Sequence, residues 1–314
     1  MKLSVLDLVP LLEGADAAAA LAQARRLART AEKLGYSRYW AAEHHDMPEL
    51  ACPAPEVLLS HIGAHTERIR LGSGALLLPH YKPIKVAETF RLLAALYPGR
   101  IDLGIGRAPG GSAHTSMALS GNFLENVRQL PESLRALSAF FADEFRVEDV
   151  PVRAMPVPPA DPEVWLLGTN RKSASYAAEF GTGYVFGHFM SDRDGAEVLS
   201  AYIREFRPTS LGAVPRVIVA VSVFCADTEE EAQRLAAESK RLPQPEGGGS
   251  GADRPKPFIG TPRQVKAALE QLQRDCGCDE LMIVTLASDY ESRLRSYELL
   301  AGAVWGAAGG ISTA

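Results

Sequence analysis

Short apolar runs alternate with longer amphipathic stretches along most of the chain. Adjacent apolar residues in runs of strand length predict buried strands, and apolar positions three or four residues apart predict helices. The strands are predicted at about 3–6, 39–42, 70–78, 101–105, 164–167, 184–186, 216–225 and 281–286. The helices are predicted at about 17–34, 53–65, 85–96, 124–142, 172–180, 194–206, 228–241, 261–274 and 290–304.

Eight strand–helix units define the expected fold. Parallel strands need helical crossovers, and a barrel of eight such units takes about 250 residues. We therefore predict an α/β fold in which residues 1–314 form a single (β/α)8 TIM-type barrel with insertions. An open doubly wound sheet is the alternative, and the number of strands favours the barrel.

Two segments interrupt this alternation. Residues 143–162 are rich in proline and charge, and we interpret them as an insertion. Residues 243–257 contain Gly247-Gly248-Gly249-Ser250-Gly251 among four prolines. Glycine-rich composition of this kind predicts a mobile loop.

Composition excludes several classes of function. The formal net charge is -5, whereas nucleic-acid binding needs a basic face. The sequence has no run of 18 apolar residues, so we expect no membrane span, and its first residues lack the features of a signal peptide. Its four cysteines do not form a disulfide framework. We expect a cytoplasmic protein with structural thiols at Cys52, Cys225, Cys276 and Cys278.

Unusual residues follow five of the eight predicted strands. Active sites of such barrels form at the carboxyl ends of the strands, and glycine, histidine or arginine is found at these positions. The segments are Glu43-His44-His45, Gly72-Ser73-Gly74-Ala75, Gly106-Arg107, Gly168-Thr169-Asn170 and Gly187-His188.

The adjacent histidines, His44 and His45, allow several interpretations. Neighbours on an extended segment point to opposite sides, so the two rings would rarely bind one metal, and we expect no metal site. One of them could be a catalytic base whose tautomer is fixed by Glu43 or by a backbone group. A histidine that is merely hydrogen-bonded at a strand end is the alternative.

Two further segments suit an anion. Gly104 to Gly110 loosely matches a dinucleotide fingerprint, but the match follows the fourth strand and contains Pro109, which argues against that interpretation. Arg107 beside these glycines suits a phosphate or a carboxylate. Residues 168–173 join a strand to a helix, where free backbone N–H groups attract phosphate. Plain capping by Thr169 or Asn170 is the alternative.

In combination, three motifs resemble the luciferase-like monooxygenase family, and the resemblance covers nearly the whole chain. They are Trp40-Ala41-Ala42-Glu43-His44-His45, Leu71-Gly72-Ser73-Gly74 with Leu78-Pro79, and Tyr97 to Gly110. The resemblance implies an eight-stranded barrel, reduced flavin mononucleotide (FMN) and molecular oxygen. It also implies a separate flavin reductase and a homodimer.

The resemblance also implies roles for particular residues. His44 matches a candidate catalytic base, and Arg107 matches an arginine that contacts the flavin phosphate. Gly168, Thr169, Asn170 and Ser173 match the turn that holds this phosphate at a helix start. Gly74 and Ala75 match a segment against the flavin ring that often carries a non-proline cis peptide.

The sequence departs from the luciferase pattern at several positions. Thr169 stands where luciferases have an acidic residue, and Gly106 stands where they have a thiol. The missing thiol argues against light emission and long-chain aldehyde chemistry. Arg128 is a weak match to a second phosphate arginine. One branch of the family uses a deazaflavin, which these residues also allow.

Our hypothesis is oxidation of a small organic substrate through a flavin hydroperoxide. His44 would shuttle a proton, and the loop at 243–257 would act as a lid, with an inert loop as the alternative. Two other functions stay open from the sequence: a deazaflavin-dependent hydride-transfer enzyme and a flavin-binding protein without catalysis.

Overall fold

Eight parallel strands close into a barrel in the computed structural model, which describes residues 1–12, 14–239 and 256–306. Each strand pairs in parallel with the next, and the eighth pairs with the first. The predicted TIM-type barrel is therefore confirmed. The barrel strands are β1 (Lys2–Asp7), β2 (Arg38–Ala41), β3 (Arg70–Ser73), β4 (Ile101–Gly106), β5 (Glu163–Gly168), β6 (Gly183–Gly187), β7 (Val217–Cys225) and β8 (Glu280–Val284).

Helices connect these strands, and several begin or end at residues suited to capping. Asp16 caps α1, which ends at Gly35 in the left-handed conformation. Thr261 and Gln264 form a capping box before α10. The helices are α1 (Ala17–Leu34), α2 (Pro55–Gly63), α3 (Pro83–Leu96), α4 (Ala113–Ser120), α5 (Phe123–Arg128), α6 (Leu130–Phe141), α7 (Arg171–Phe180), α8 (Gly195–Glu205), α9 (Glu229–Ser239), α10 (Pro262–Cys276) and α11 (Tyr290–Trp305).

The third strand is shorter than the apolar run at 70–78 predicts. It ends at Ser73, and the peptide bond from Gly74 to Ala75 is cis, as the family resemblance leads us to expect. A two-residue strand, Leu76–Leu77, then pairs with β4, and a 3-10 turn spans Leu78–His80. The apolar side chains of this run are buried at an irregular connection, so their pattern resembled a continuous strand.

The helix predicted at 124–142 is two helices, and the sequence reading missed α4. Asn122 caps α5, and Pro131 occupies the first turn of α6, where proline fits. Helix α4 has one buried residue, Ser116, and therefore shows no apolar periodicity. A short strand parallel to β7, Phe258–Gly260, was also missed.

The structure describes the whole of the predicted insertion but only the last two residues of the predicted loop. Within 143–162, Arg146–Val147 and Val150–Pro151 form a two-stranded antiparallel ribbon. The buried Arg91 on α3 holds this segment through ion pairs with Asp143 and Asp161 at 3.0 and 2.8 Å. The loop predicted at 243–257 lies outside the described residues, except for Lys256 and Pro257.

All four cysteines are buried free thiols, and this burial supports the prediction that they are structural. Burial raises the pKa of Cys52, Cys225 and Cys278 to about 12 and that of Cys276 to about 11. None of the helices in the described ranges combines the length and apolar content that a membrane crossing requires.

The amino end of the barrel is closed by an ion-pair network around Asp102, which is fully buried. One carboxylate oxygen of Asp102 accepts hydrogen bonds from Arg38 and Trp40 at 2.7 and 2.9 Å, and the other accepts from Arg70 at 2.6 Å. Further acidic and basic partners extend the network: Glu163, Arg216 and Glu280. From this network toward the carboxyl ends of the strands, the barrel interior is filled by apolar side chains that include two tryptophans: Leu6, Trp40, Trp165, Val185, Ile218, Ala220 and Met282.

Candidate active site

The carboxyl ends of the eight strands form one rim of the barrel, which we call the mouth. Because all eight strands are parallel, segments that follow different strands meet at this rim. The structure places the predicted site residues there: His44 after β2, Gly74 and Ala75 after β3, Arg107 after β4, and Gly168, Thr169, Asn170 and Ser173 at the junction of β5 and α7.

The imidazole of His44 has no hydrogen bond to either nitrogen within the described part of the chain, and its Nδ1 is buried. Its backbone N–H donates to the carbonyl of Cys52 at 3.0 Å, which fixes the segment. Burial, and then the neighbouring His45, lower the pKa of His44 to about 4. The ring is therefore neutral at pH 7 and has a free nitrogen with which to accept a proton.

Glu43 holds His45 rather than His44. The Oε1 atom of Glu43 lies 2.8 Å from the Nε2 atom of His45 and accepts a hydrogen bond from Tyr81 at 2.9 Å. Its Oε2 atom accepts from the backbone N–H of Leu77 at 2.9 Å. The two histidines thus occupy different environments, and neither Glu43 nor a backbone group fixes the tautomer of His44.

Close packing surrounds Gly106 at the end of β4, where the luciferase pattern has a thiol. A Cβ atom at Gly106 would lie 2.8 Å from the Cβ atom of Ala75. A side chain at this position would therefore push against the segment with the cis peptide. The glycine lets β4 and the segment after β3 approach each other.

Arg107 lies near the start of α7. It is half-buried, and it has no hydrogen bond or ion pair among residues 1–12, 14–239 and 256–306. Burial raises the pKa of Tyr184 to about 12, and the positive charge of Arg107 acts in the opposite direction. The hydroxyl of Tyr184 lies 3.0 Å from that of Ser173. Tyr184 thus contacts the predicted helix start directly and lies within electrostatic range of the predicted arginine.

The helix start is itself a capping box. The side chain of Asn170 accepts a hydrogen bond from the backbone N–H of Ser173 at 3.2 Å, and the backbone N–H of Asn170 donates to Ser173 Oγ at 3.5 Å. Ser173 Oγ also donates to the carbonyl of Asn170 at 2.7 Å. A Cβ atom at Gly168 would lie 2.0 Å from Ser173 Oγ, so this packing requires glycine. The carbonyl of Thr169 accepts from Ser191 at 2.8 Å. Asn170, not Thr169, is therefore the cap.

The floor of the mouth is mainly apolar. Four partly buried side chains that follow or end different strands pack on the barrel interior: Leu50, Leu167, Phe189 and Leu286. His188 follows β6, four strands from β2 around the barrel. Its buried Nδ1 atom has no hydrogen-bond partner among the residues that the structure describes, and burial lowers its pKa. The mouth therefore offers a ligand apolar carbon and the imidazoles of His44 and His188.

Other sequence candidates are not part of this arrangement. Arg128 is 80% exposed and pairs with Glu125 on its own helix at 3.5 Å, which leaves it without a role at the mouth. His61 and His65 were not among the sequence candidates, although they have the His-x-x-x-His spacing that can hold a metal. Both are exposed, and His65 lies beyond the end of α2. No three potential metal-ligating His, Cys, Asp or Glu side chains cluster in the described ranges.

Tyr81 and Tyr184 were not predicted as site residues, whereas His188 was predicted at a strand end but was given no role. Tyr81 and Tyr184 reach the site through their hydroxyls, which lie 2.9 Å from Glu43 and 3.0 Å from Ser173. An isolated tyrosine in an apolar run carries no signal of such a contact. His188 did carry one, because it directly follows a predicted strand.

Fold and mouth together define a TIM-barrel protein with a partly buried free arginine, a helix start and a neutral histidine at one rim. A model of the luciferase-like monooxygenases matches residues 1–277. The chain belongs to the luciferase-like monooxygenase family, and it is an oxidoreductase.

Similar proteins cover almost the whole chain. YwcH of Bacillus subtilis (strain 168), an uncharacterised protein, is 42% identical over 96% of this chain and 98% of its own length. N-acetyl-S-alkylcysteine monooxygenase of the same organism is 39% identical over 87% of this chain and 80% of its own length. The crystal structure of apo-MsnO8 is similar with a TM-score of 0.87 at 36% identity, covering 96% of this chain and 98% of that one.

Proposed function

We propose that this chain is a flavin-dependent monooxygenase that uses reduced FMN and molecular oxygen to oxidise a small organic substrate. The observation that carries the proposal is the guanidinium of Arg107, unpaired among the described residues, at the same rim as the start of α7 and within electrostatic range of Tyr184. A half-buried cation without a partner suits a phosphate. When bound, reduced flavin supplies the electrons and the reaction with oxygen, and the protein positions and shields it.

The residues at the mouth fit FMN. In this proposal Arg107 and the α7 start, with Gly168, Thr169, Asn170 and Ser173, hold the phosphate, because helix N-termini favour anions. Gly74 and Ala75 lie against the flavin ring. The support is the close approach of Ala75 to Gly106, which gives the ring a flat backbone surface without long side chains.

His44 is the proposed proton-handling residue. Its ring is neutral at pH 7 because burial lowers its pKa to about 4. A neutral imidazole with a free nitrogen can take up a proton and pass it on. Because burial disfavours the charged ring, it would hold this proton only briefly, as a shuttle does. Arg107 holds the cofactor in this scheme, whereas His44 moves the proton.

The substrate is proposed to carry an apolar group that fits against Leu50, Leu167, Phe189 and Leu286. One relative is named as a monooxygenase of N-acetyl-S-alkylcysteine. We therefore propose thioethers as the first substrates to test.

The proposal includes the partners that the resemblance implies. A separate reductase supplies the reduced flavin, and both proteins work in the cytoplasm. A second copy of the chain is proposed to pack on α2 and α3, which contact each other. Val57 on α2 and Leu92 and Leu96 on α3 support this surface, because they are 66%, 51% and 53% exposed.

Anaerobic titration with reduced FMN, followed by mixing with oxygen, tests the proposal. We expect saturable binding and a species whose spectrum differs from those of reduced and oxidised FMN. Saturable binding with immediate return to oxidised FMN in the presence of every thioether indicates a flavin-binding protein instead. Failure to bind FMN, together with binding of a deazaflavin and no oxygen uptake, indicates the hydride-transfer alternative.

A variant of His44 tests the role of this residue. His44→Ala is expected to retain FMN affinity, because the ring makes no hydrogen bond that the fold needs, and to lose substrate turnover by about a hundredfold or more. His65→Ala, which removes an exposed imidazole beyond the end of α2, is the matched control. Turnover equal to that of this control would remove His44 from the mechanism.

A further inference from the structure

The carboxylate of Glu43 is the polar centre beneath one side of the mouth. Glu43 is only 2% exposed, and burying a carboxylate is costly unless its oxygens accept hydrogen bonds. Three donors meet this need: the ring of His45, the hydroxyl of Tyr81 and the backbone N–H of Leu77, at 2.8, 2.9 and 2.9 Å. They come from separate segments, so the carboxylate ties these segments together.

Two of these contacts control segments that carry predicted cofactor residues. Leu77 is separated by one residue from the cis peptide between Gly74 and Ala75, so its N–H fixes the end of the segment after β3. His45 directly follows His44. A hydrogen bond to the ring of His45 therefore limits the motion of the backbone that carries His44.

A third segment joins through the backbone of His45. Its N–H donates to the carbonyl of Gly110 at 2.7 Å, in the segment that begins with Arg107. The ring of His80 lies edge-on to that of His45, with centroids 6.1 Å apart, and its Nε2 atom is 2.9 Å from the carbonyl of Pro109. The segments after β2, β3 and β4 thus meet around one carboxylate.

We propose that Glu43 is a positioning residue that holds these three segments in the geometry that binds the flavin and presents His44. The proposal rests on the proposed function, since the flavin is the ligand being positioned. Glu43 itself meets no reacting atom. It acts through Leu77 and His45, and all of its hydrogen-bonding oxygens are used within the protein.

Asp102 is the matched control, because a buried carboxylate can stabilise the fold without positioning any ligand-binding segment. Like Glu43, it is almost fully buried and accepts hydrogen bonds from several side chains. It lies at the opposite end of the barrel, near the start of β4. Variants of either carboxylate are therefore expected to lower overall stability. Only variants of Glu43 are expected to disturb the geometry of the mouth.

The test uses Glu43→Ala and Glu43→Gln with Asp102→Ala and Asp102→Asn as matched controls. Three properties of the full chain are measured: the dissociation constant of FMN, the melting temperature, and hydrogen–deuterium exchange of residues 74–80 without flavin. Glutamine keeps the length of glutamate and one carbonyl oxygen for the N–H of Leu77. It is the conservative variant, and it serves as the test if Glu43→Ala does not fold.

We expect Glu43→Ala to weaken FMN binding by about tenfold or more and to speed exchange at residues 74–80. Glu43→Gln should recover part of both losses. The Asp102 variants should lower the melting temperature but leave the affinity of their folded fraction within about twofold of the wild type. FMN affinity at the wild-type level in both Glu43 variants overturns the proposal, as does an equal loss in the Asp102 variants.

The exchange measurement separates this proposal from the proposed function. If the wild-type chain binds no FMN, the flavin function fails, and exchange at residues 74–80 still decides whether Glu43 orders the segment. If the wild type binds FMN and Glu43→Ala leaves exchange unchanged, only the positioning role fails.

Discussion

The charged groups that close the amino end of the barrel are paired with one another, whereas two of the candidate ligand-binding groups at the mouth are not. At the amino end, Asp102 accepts hydrogen bonds from three different side chains, and Arg38 pairs with three carboxylates. At the mouth, the ring nitrogens of His44 and the guanidinium of Arg107 have no such partner in the described ranges. Unpaired buried polar groups cost stability. We infer that the amino end stabilises the fold, whereas the mouth keeps groups free for a ligand.

Removal of the Asp102 carboxylate is expected to give the largest effect on stability. Asp102→Ala leaves Arg38, Arg70 and the indole of Trp40 without their buried acceptor, which should cost about 3–5 kcal/mol of unfolding free energy. Urea denaturation at pH 7 measures this loss. A change below about 1 kcal/mol would show that the ion-pair network contributes little, and the contrast between the two ends would fail.

The second prediction concerns acid and the neutral ring of His44. Its pKa is about 4 in the folded chain against an ordinary value of 6.5, so the unfolded chain binds the proton more tightly. Stability from this group is complete above pH 6.5 and is lost as the pH falls from 6.5 to 4. At about 1.4 kcal/mol per pH unit, the loss amounts to about 3 kcal/mol.

The variant His44→Gln removes this titration without removing a hydrogen bond. Unfolding free energies of the wild type and the variant are compared at pH 7 and pH 4.5. We expect the variant to lose less stability than the wild type between these two values. Equal losses would mean that the buried ring of His44 does not resist protonation in the folded chain.

The third prediction concerns Arg107. Arg107→Met keeps an apolar chain of similar reach and removes the charge, so the unfolding free energy should change by less than about 0.5 kcal/mol. FMN binding should weaken by about 1.5–3 kcal/mol, because a charge-assisted hydrogen bond to the phosphate is lost. Calorimetric titration with FMN and with riboflavin checks this. An equal loss for riboflavin, which lacks the phosphate, would contradict the phosphate role.

The barrel was predictable because its signals are local. Apolar runs and their spacing reveal each strand and helix, and the parallel order then brings residues after different strands to one rim. This is how Arg107 and Asn170 could be assigned to the same end before the structure was known. Helix α4 could not be predicted, because its one buried residue, Ser116, gives no periodicity.

The contacts within the site were not predictable in the same way. Glu43 reaches Leu77 and Tyr81 over 34 and 38 residues of sequence, and these contacts depend on side-chain rotamers. From the sequence, Glu43 was a candidate to fix the tautomer of either adjacent histidine. Only the structure assigns its carboxylate to His45 and leaves His44 free.

The last prediction has the smallest expected effect. It tests whether Asn170 only caps α7 or also orders the phosphate site, two possibilities that the sequence left open. Asn170→Ala removes the cap of α7, which should cost about 1 kcal/mol of stability. Asp16, the exposed cap of α1, accepts from the backbone N–H of Ala19 at 2.7 Å, and Asp16→Ala should cost a similar amount. If Asn170 also orders the phosphate site, only its variant weakens FMN binding, by about tenfold. If the two variants lose equal stability and both keep full affinity, Asn170 is a helix cap alone. In that case Arg107 and the backbone N–H groups at the start of α7 would account for anion binding at the mouth.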